Sequence, residues 1–127
     1  MQINVFVMCK SETFFYLMEN IFNREDIYIV GYCRQPAEAL NEFKKCNADV
    51  VLLDANWHNT TGKTLLENFL KMNAKVILTT NFFNADLINY FKPLTPHGYL
   101  YRNADNFKSI TDCIKTVYRG EPCFADS

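Results

Sequence analysis

Glycine and proline are scarce, with 4 of each in 127 residues. That scarcity excludes collagen-like, low-complexity and linker-rich chains, which need far more of both. Neither sign of charge is in surplus: 13 Lys and Arg stand against 14 Asp and Glu, a formal net charge of -1. Gripping nucleic acid or an anionic membrane by charge alone requires many cationic contacts to phosphate, so the balance argues against both. No apolar run approaches membrane-spanning length, and Met1 to Val7 lacks the basic stretch, apolar core and small-residue cleavage site of a secretory signal. A cytoplasmic protein is expected. Cysteines occur without pattern: Cys9, Cys33, Cys46, Cys113 and Cys123 are odd in number, scattered, and never spaced C-x-x-C. Reduced, mostly buried thiols fit this better than zinc or a disulfide framework.

What is plentiful is apolar side chain, 49% of the chain with 15% aromatic, the composition of a packed globular domain. At this length one domain is expected. The organising stretch is Val50-Val51-Leu52-Leu53-Asp54. Four aliphatic residues in a row, β-branched at the front, read as a strand buried on both faces of a parallel sheet. Asp54 then falls at the carboxyl edge, where open α/β sheets place their ligand chemistry. Taken alone, it reads equally well as a turn or helix-capping aspartate.

The other elements follow from period and punctuation. Ile3 to Met8, Ile27 to Tyr32, Ala48 to Leu53, Lys75 to Thr79 and Gly98 to Tyr101 read as strands. Helices are expected after Ser11, with Phe14, Phe15, Leu17, Met18, Ile21 and Phe22 at helical spacing; from Pro36; over Leu65 to Met72; over Ala85 to Phe91; and over Phe107 to Val117, ended by Gly120 as C-cap. Five alternations with crossovers of this length predict a flavodoxin-like (βα)5 fold: an α/β, doubly wound, five-stranded parallel sheet with helices on both faces. The tail, Glu121 to Ser127, has only weak local signals.

Element order and strand-end residues resemble the receiver domain of two-component response regulators, from Ile3 to Glu121. The resemblance implies that Asp54 is the acceptor of a phosphoryl group from a histidine kinase, with the usual glycine eight residues on at Gly62. It implies that Thr79 is the hydroxyl that senses the phosphoryl group, and that Tyr99, in Gly98-Tyr99-Leu100-Tyr101-Arg102, is the aromatic switch. The Gly98-Tyr99-Leu100 phrase and Val117-Tyr118-Arg119-Gly120-Glu121 are most similar to receivers followed by a helix-turn-helix DNA-binding domain. Residues 1–121 would then be the receiver, and 122–127 a tail or the start of a linker to an effector domain outside this chain. Homodimers and control of transcription are the implied outputs, with DNA contacted only through that absent domain and no membrane or enzyme activity.

Two departures from the pattern carry chemistry. Where receivers hold two adjacent acidic residues that bind Mg2+, this chain has Cys9 and Lys10, neither suited to a hard cation that wants oxygen ligands. The carbonyl of Asn56 is the remaining ligand the resemblance implies. No cofactor is expected, and no metal ligands are assigned. Arg102 replaces the family's lysine, keeping the charge in a longer, forked group. Lys10 either takes the metal's place beside Asp54 or points into solvent.

Other constellations are weaker. Gly62-Lys63-Thr64 lacks the earlier glycine of a P-loop, which would fall at Trp57. His58 and His97 read as loop histidines without a partnered nucleophile. Cys9 reads as a buried filler or as a thiol activated by Lys10. Trp57, Phe82 and Phe83 read as packing or a lid near the pocket. A flavodoxin-like cofactor carrier or small enzyme is the competing reading, but Met8-Cys9-Lys10-Ser11-Glu12-Thr13 has no glycine with which to cradle phosphate.

Overall fold

A computed structural model describes residues 2–10, 12–54, 59–80, 85–101 and 107–124. Strand β3 (Val50–Asp54) is buried at every position, as its unbroken apolar run requires. Successive side chains of a strand point to opposite faces, so covering β3 takes helices on both. Val50 and Leu52 join one apolar cluster with Val5, Val7, Met18, Phe22, Ile110 and Ile114. Val51 and Leu53 join the other with Phe6, Met8, Leu66, Phe69 and Phe91.

The remaining elements, in chain order, are β1 (Ile3–Met8), α1 (Glu12–Asn23), β2 (Ile27–Cys33), α2 (Pro36–Lys44), α3 (Asn59–Lys71), β4 (Lys75–Thr80), α4 (Ala85–Phe91), β5 (Gly98–Tyr101), α5 (Phe107–Tyr118) and β6 (Cys123–Phe124). All strands run parallel in the order β2-β1-β3-β4-β5-β6. α1 and α5 contribute to the first cluster, and α2, α3 and α4 to the second. The doubly wound architecture read from the sequence holds.

Local chemistry accounts for the element ends. Gln35 is extended and Pro36 opens α2, where its missing N–H is no loss. Two of the described α-helices close on a left-handed residue. Gly120 (φ 93°) follows α5, with its N–H on the Val117 carbonyl (2.9 Å) and that of Glu121 on Thr116 (3.1 Å). Asn73 (φ 61°) does the same after α3, with the Ala74 N–H reaching back to Phe69 (3.1 Å). Both are Schellman closures.

Among the described residues the sheet has six strands rather than the expected five, and the sixth comes from the tail. After Gly120 the chain turns back, and Cys123–Phe124 pairs with Gly98–Tyr99 along the free edge of β5. A Cβ on Gly98 would lie 2.4 Å from the Cys123 carbonyl oxygen, so β6 can approach only because this residue has none. At the opposite edge, β2 carries a bulge: Val5 pairs with Ile29 but Phe6 with Gly31, leaving Val30 as an extra, exposed residue.

His97 lies in the bend before β5, as a loop histidine should, but it is half-buried and bonded. Its Nδ1 accepts the Val76 N–H (3.1 Å), its own N–H donates to the Val76 carbonyl (2.9 Å), and its carbonyl accepts the Cys123 N–H (3.1 Å). It ties β4 to the start of β5 and to β6. Burial, and then the nearby Lys75 charge, hold its pKa below the usual 6.5. Protonation would place a hydrogen on the accepting nitrogen, so the unfolded chain binds that proton more readily. The stabilisation is complete above the ordinary histidine value and is lost as pH falls through the lower folded value. Urea midpoints should therefore fall more steeply between about pH 7.5 and about pH 5 in the native protein than in His97→Gln. Equal slopes would exclude His97 as the titrating group.

Candidate functional site

Register assembles the site. Met8 pairs with Leu53, Asp54 with Thr79, and Thr79 with Leu100. Adjacent strands lie about 4.8 Å apart. Cys9 thus follows its strand beside Asp54 on one side, while Thr79 adjoins Asp54 on the other. Asp54, Thr79 and Thr80 are 3%, 3% and 6% exposed: a buried carboxylate paired with the Thr79 strand position, and a second buried hydroxyl on the other face, end an otherwise apolar sheet. Buried charge is tolerated only where neighbouring groups compensate it, so the polar character of this edge is a requirement of Asp54.

Cys9 is buried, with its N–H on the Cys33 carbonyl (3.2 Å). Lys10, one residue on, is exposed at the turn leaving β1. Among the described residues no group of three His, Cys, Asp or Glu side chains is placed to hold a metal ion. A thiol and an ammonium in the positions next to Asp54 do not fit Mg2+, which takes hard oxygen ligands in octahedral array. Asn56 and Arg102, and with them His58, Trp57, Phe82 and Phe83, lie outside the described residues.

Tyr99 sits on β5 opposite Leu78, half-buried against the α3 side of the sheet. Its ring meets that of Phe124 on β6, with centroids 4.8 Å apart. The residue that the resemblance implies is a switch is therefore in contact with the tail. That contact has no sequence signal, because it depends on a two-residue strand.

Reasoning from sequence also missed Tyr32. It ends in a stack with Phe15 of α1, with centroids 4.1 Å apart and planes at 11°. Its hydroxyl is buried and, among the described residues, meets only the thiol of Cys9, short of a well-formed hydrogen bond. The Cys9 thiol beside it is too weak a donor and acceptor to replace water. Burial first, and then Cys9, push the phenol up to about 12, with Glu12 adding to the rise and Arg34 opposing it. Glu12 and Arg34 form an ion pair; both are about half-exposed, so it contributes at most about 1 kcal/mol.

No family model matches the chain. An uncharacterized transcriptional regulatory protein of Bacillus subtilis (strain 168), YvfU, is 25% identical over 103 residues, covering 80% of this chain and 51% of that protein. The chain spans about half the length of the curated relative it matches. Among solved structures, the non-phosphorylated receiver domain of the stress response regulator RcsB from Escherichia coli superposes with a TM-score of 0.85 at 13% identity, over 99% of this chain and 100% of that one. The isolated REC domain of RcsB from Salmonella enterica serovar Typhimurium in the apo form gives 0.85 at 15%, over 98% and 94%. A LuxR-family two-component response regulator from Aurantimonas sp. SI85-9A1 gives 0.84 at 12%, over 97% and 89%. The fold is that of response-regulator receiver domains. None of the helices among the described residues is long and apolar enough to cross a membrane.

An unsatisfied buried hydroxyl costs free energy, and removing it recovers some. Tyr32→Phe should raise the unfolding free energy by about 1 kcal/mol in urea titrations. A loss of stability instead would reveal a partner for the phenol.

Proposed function

We propose that this chain is the receiver module of a response regulator that controls transcription, and that its pocket works without Mg2+, with Lys10 supplying the positive charge opposite Asp54. The observation that carries this reading is the buried Asp54 at the end of β3, beside Thr79 on one strand and the Cys9-Lys10 turn on the other. The receiver fold of RcsB and the likeness to a transcriptional regulatory protein support the assignment to signalling. The module acts in the cytoplasm as a switch, with a histidine kinase upstream and a DNA-binding domain beyond this chain downstream. Its output is association with a second copy through an exposed face.

Moving a phosphoryl group onto a carboxylate depends on positioning and on neutralising charge over the equatorial oxygens. If the Lys10 side chain reaches back from its turn to Asp54, the carboxylate is already compensated and an incoming dianion gains little. The two-state equilibrium that Thr79 and Tyr99 would report is then biased by Lys10 rather than by phosphorylation.

Incubation with acetyl phosphate and Mg2+ should leave Asp54 without added phosphate by intact mass. Rapid stoichiometric modification there overturns the metal-free reading. Lys10→Asp restores an oxygen ligand and removes the repulsion, so its Mg2+ affinity by calorimetry should rise at least about tenfold, roughly 1.4 kcal/mol.

A further inference from the structure

The pocket makes no use of two thiols that meet where the chain turns back after α5. Cys113 lies on the inner face of α5, fully buried among Ile110, Ile114 and Val117. Cys123 is the first residue of β6 and packs, half-buried, against the same cluster. The Cys113 Sγ donates to the Cys123 carbonyl oxygen at 3.7 Å. The two thiols also interact with each other: burial foremost, and then a hydrogen bond to the Cys123 side chain, push Cys113 far above the usual thiol range.

The backbone holds this meeting in place from three directions. Gly120 in the left-handed conformation reverses the chain, the Cys123 N–H is fixed on the His97 carbonyl (3.1 Å), and Gly98 lets the Cys123 carbonyl approach where a Cβ would block it. Alternation along β6 then sends Cys123 toward α5 and Phe124 toward Tyr99. Cys33 and Cys46 are differently engaged, since their thiols donate to the backbone carbonyls of Gln35 (3.1 Å) and Glu42 (3.2 Å).

We propose that Cys113 and Cys123 are a redox pair, which a low-molecular-weight disulfide such as oxidised glutathione converts to an intramolecular bridge stapling β6 to α5. The half-exposed Cys123 loses its proton and attacks a glutathione sulfur, forming a mixed disulfide and expelling one glutathione thiolate, which takes up that proton. Cys113 then gives up its proton and attacks the Cys123 sulfur. The protein disulfide forms, and the second glutathione leaves as thiol with the Cys113 proton. Two protein thiols are oxidised while one glutathione disulfide is reduced to two thiols. Because Phe124 follows Cys123 directly, the staple also fixes the ring that packs on Tyr99. The inference stands independently of how Asp54 is used.

The test equilibrates the whole 127-residue chain in glutathione buffers of stepped thiol-to-disulfide ratio, blocks free thiols by alkylation and maps the peptides by mass. One bridge joining Cys113 to Cys123 is expected, with Cys9, Cys33 and Cys46 alkylated. It should vanish in Cys123→Ser and in Cys113→Ala, each checked by circular dichroism for retained fold. The Cys123 amide, held by His97, should exchange with deuterium at least about tenfold more slowly once bridged. The proposal is overturned if oxidation stops at glutathionylated Cys123 with Cys113 still reduced, if the bridge forms only in denaturant, or if exchange at Cys123 is unchanged.

Discussion

Leu53 pairs with Met8 on one side and with Leu78 on the other. Asp49 supports that register at the amino end of β3, exchanging hydrogen bonds with Asn4: its carboxylate accepts the Asn4 N–H (2.8 Å), and its own N–H donates to the Asn4 carbonyl (2.7 Å). A slip of one residue would carry Val50 and Leu52 into the cluster that holds Val51 and Leu53, and vice versa. With both faces already filled by rings and branched aliphatics, such a slip is closed off. The next residue is therefore held to one place, and that residue is Asp54. The relation of Asp54 to Thr79 on β4, and to Cys9 just past the end of β1, inherits its precision from the packing beneath.

The same rigidity bears on how the site can change. Receiver-like folds can share a backbone while differing in what compensates the central carboxylate. Here Cys9 and Lys10 follow β1 beside the end of β3, and the sheet beneath them is undisturbed. Fold and chemistry are separable because the fold is secured by the two apolar clusters, none of whose members at the strand centres belongs to the edge.

Much of this was legible in the residues. The β3 run, the proline at the start of α2 and Gly120 after α5 each carry a local physical signature, and each element stands where that signature places it. Asp54 and Thr79 were brought together by register alone, which follows once the strands are known. What escaped has no period to read. β6 is two residues long and exists because Gly98 and Gly120 permit it. His97 gained its role from a backbone N–H on β4, 21 residues away. The Tyr32 and Phe15 stack joins a strand to a helix across a turn. Asn73 does by a left-handed backbone what glycine does after α5, and asparagine advertises that conformation only weakly. For Asn56 and Arg102 the question stays with the sequence, since both lie outside the described residues.

The bulge at Val30 has a further bearing on how copies of the molecule meet. An open sheet edge is a template for another strand, and a long flat one invites continuous pairing from molecule to molecule. On β2 the extra residue breaks the spacing of outward-facing amides and carbonyls. At the far side, the tail contributes only Cys123 and Phe124 before the described chain ends. Among the described residues, neither margin offers the long uninterrupted row of donors and acceptors on which strands of separate molecules could stack without end.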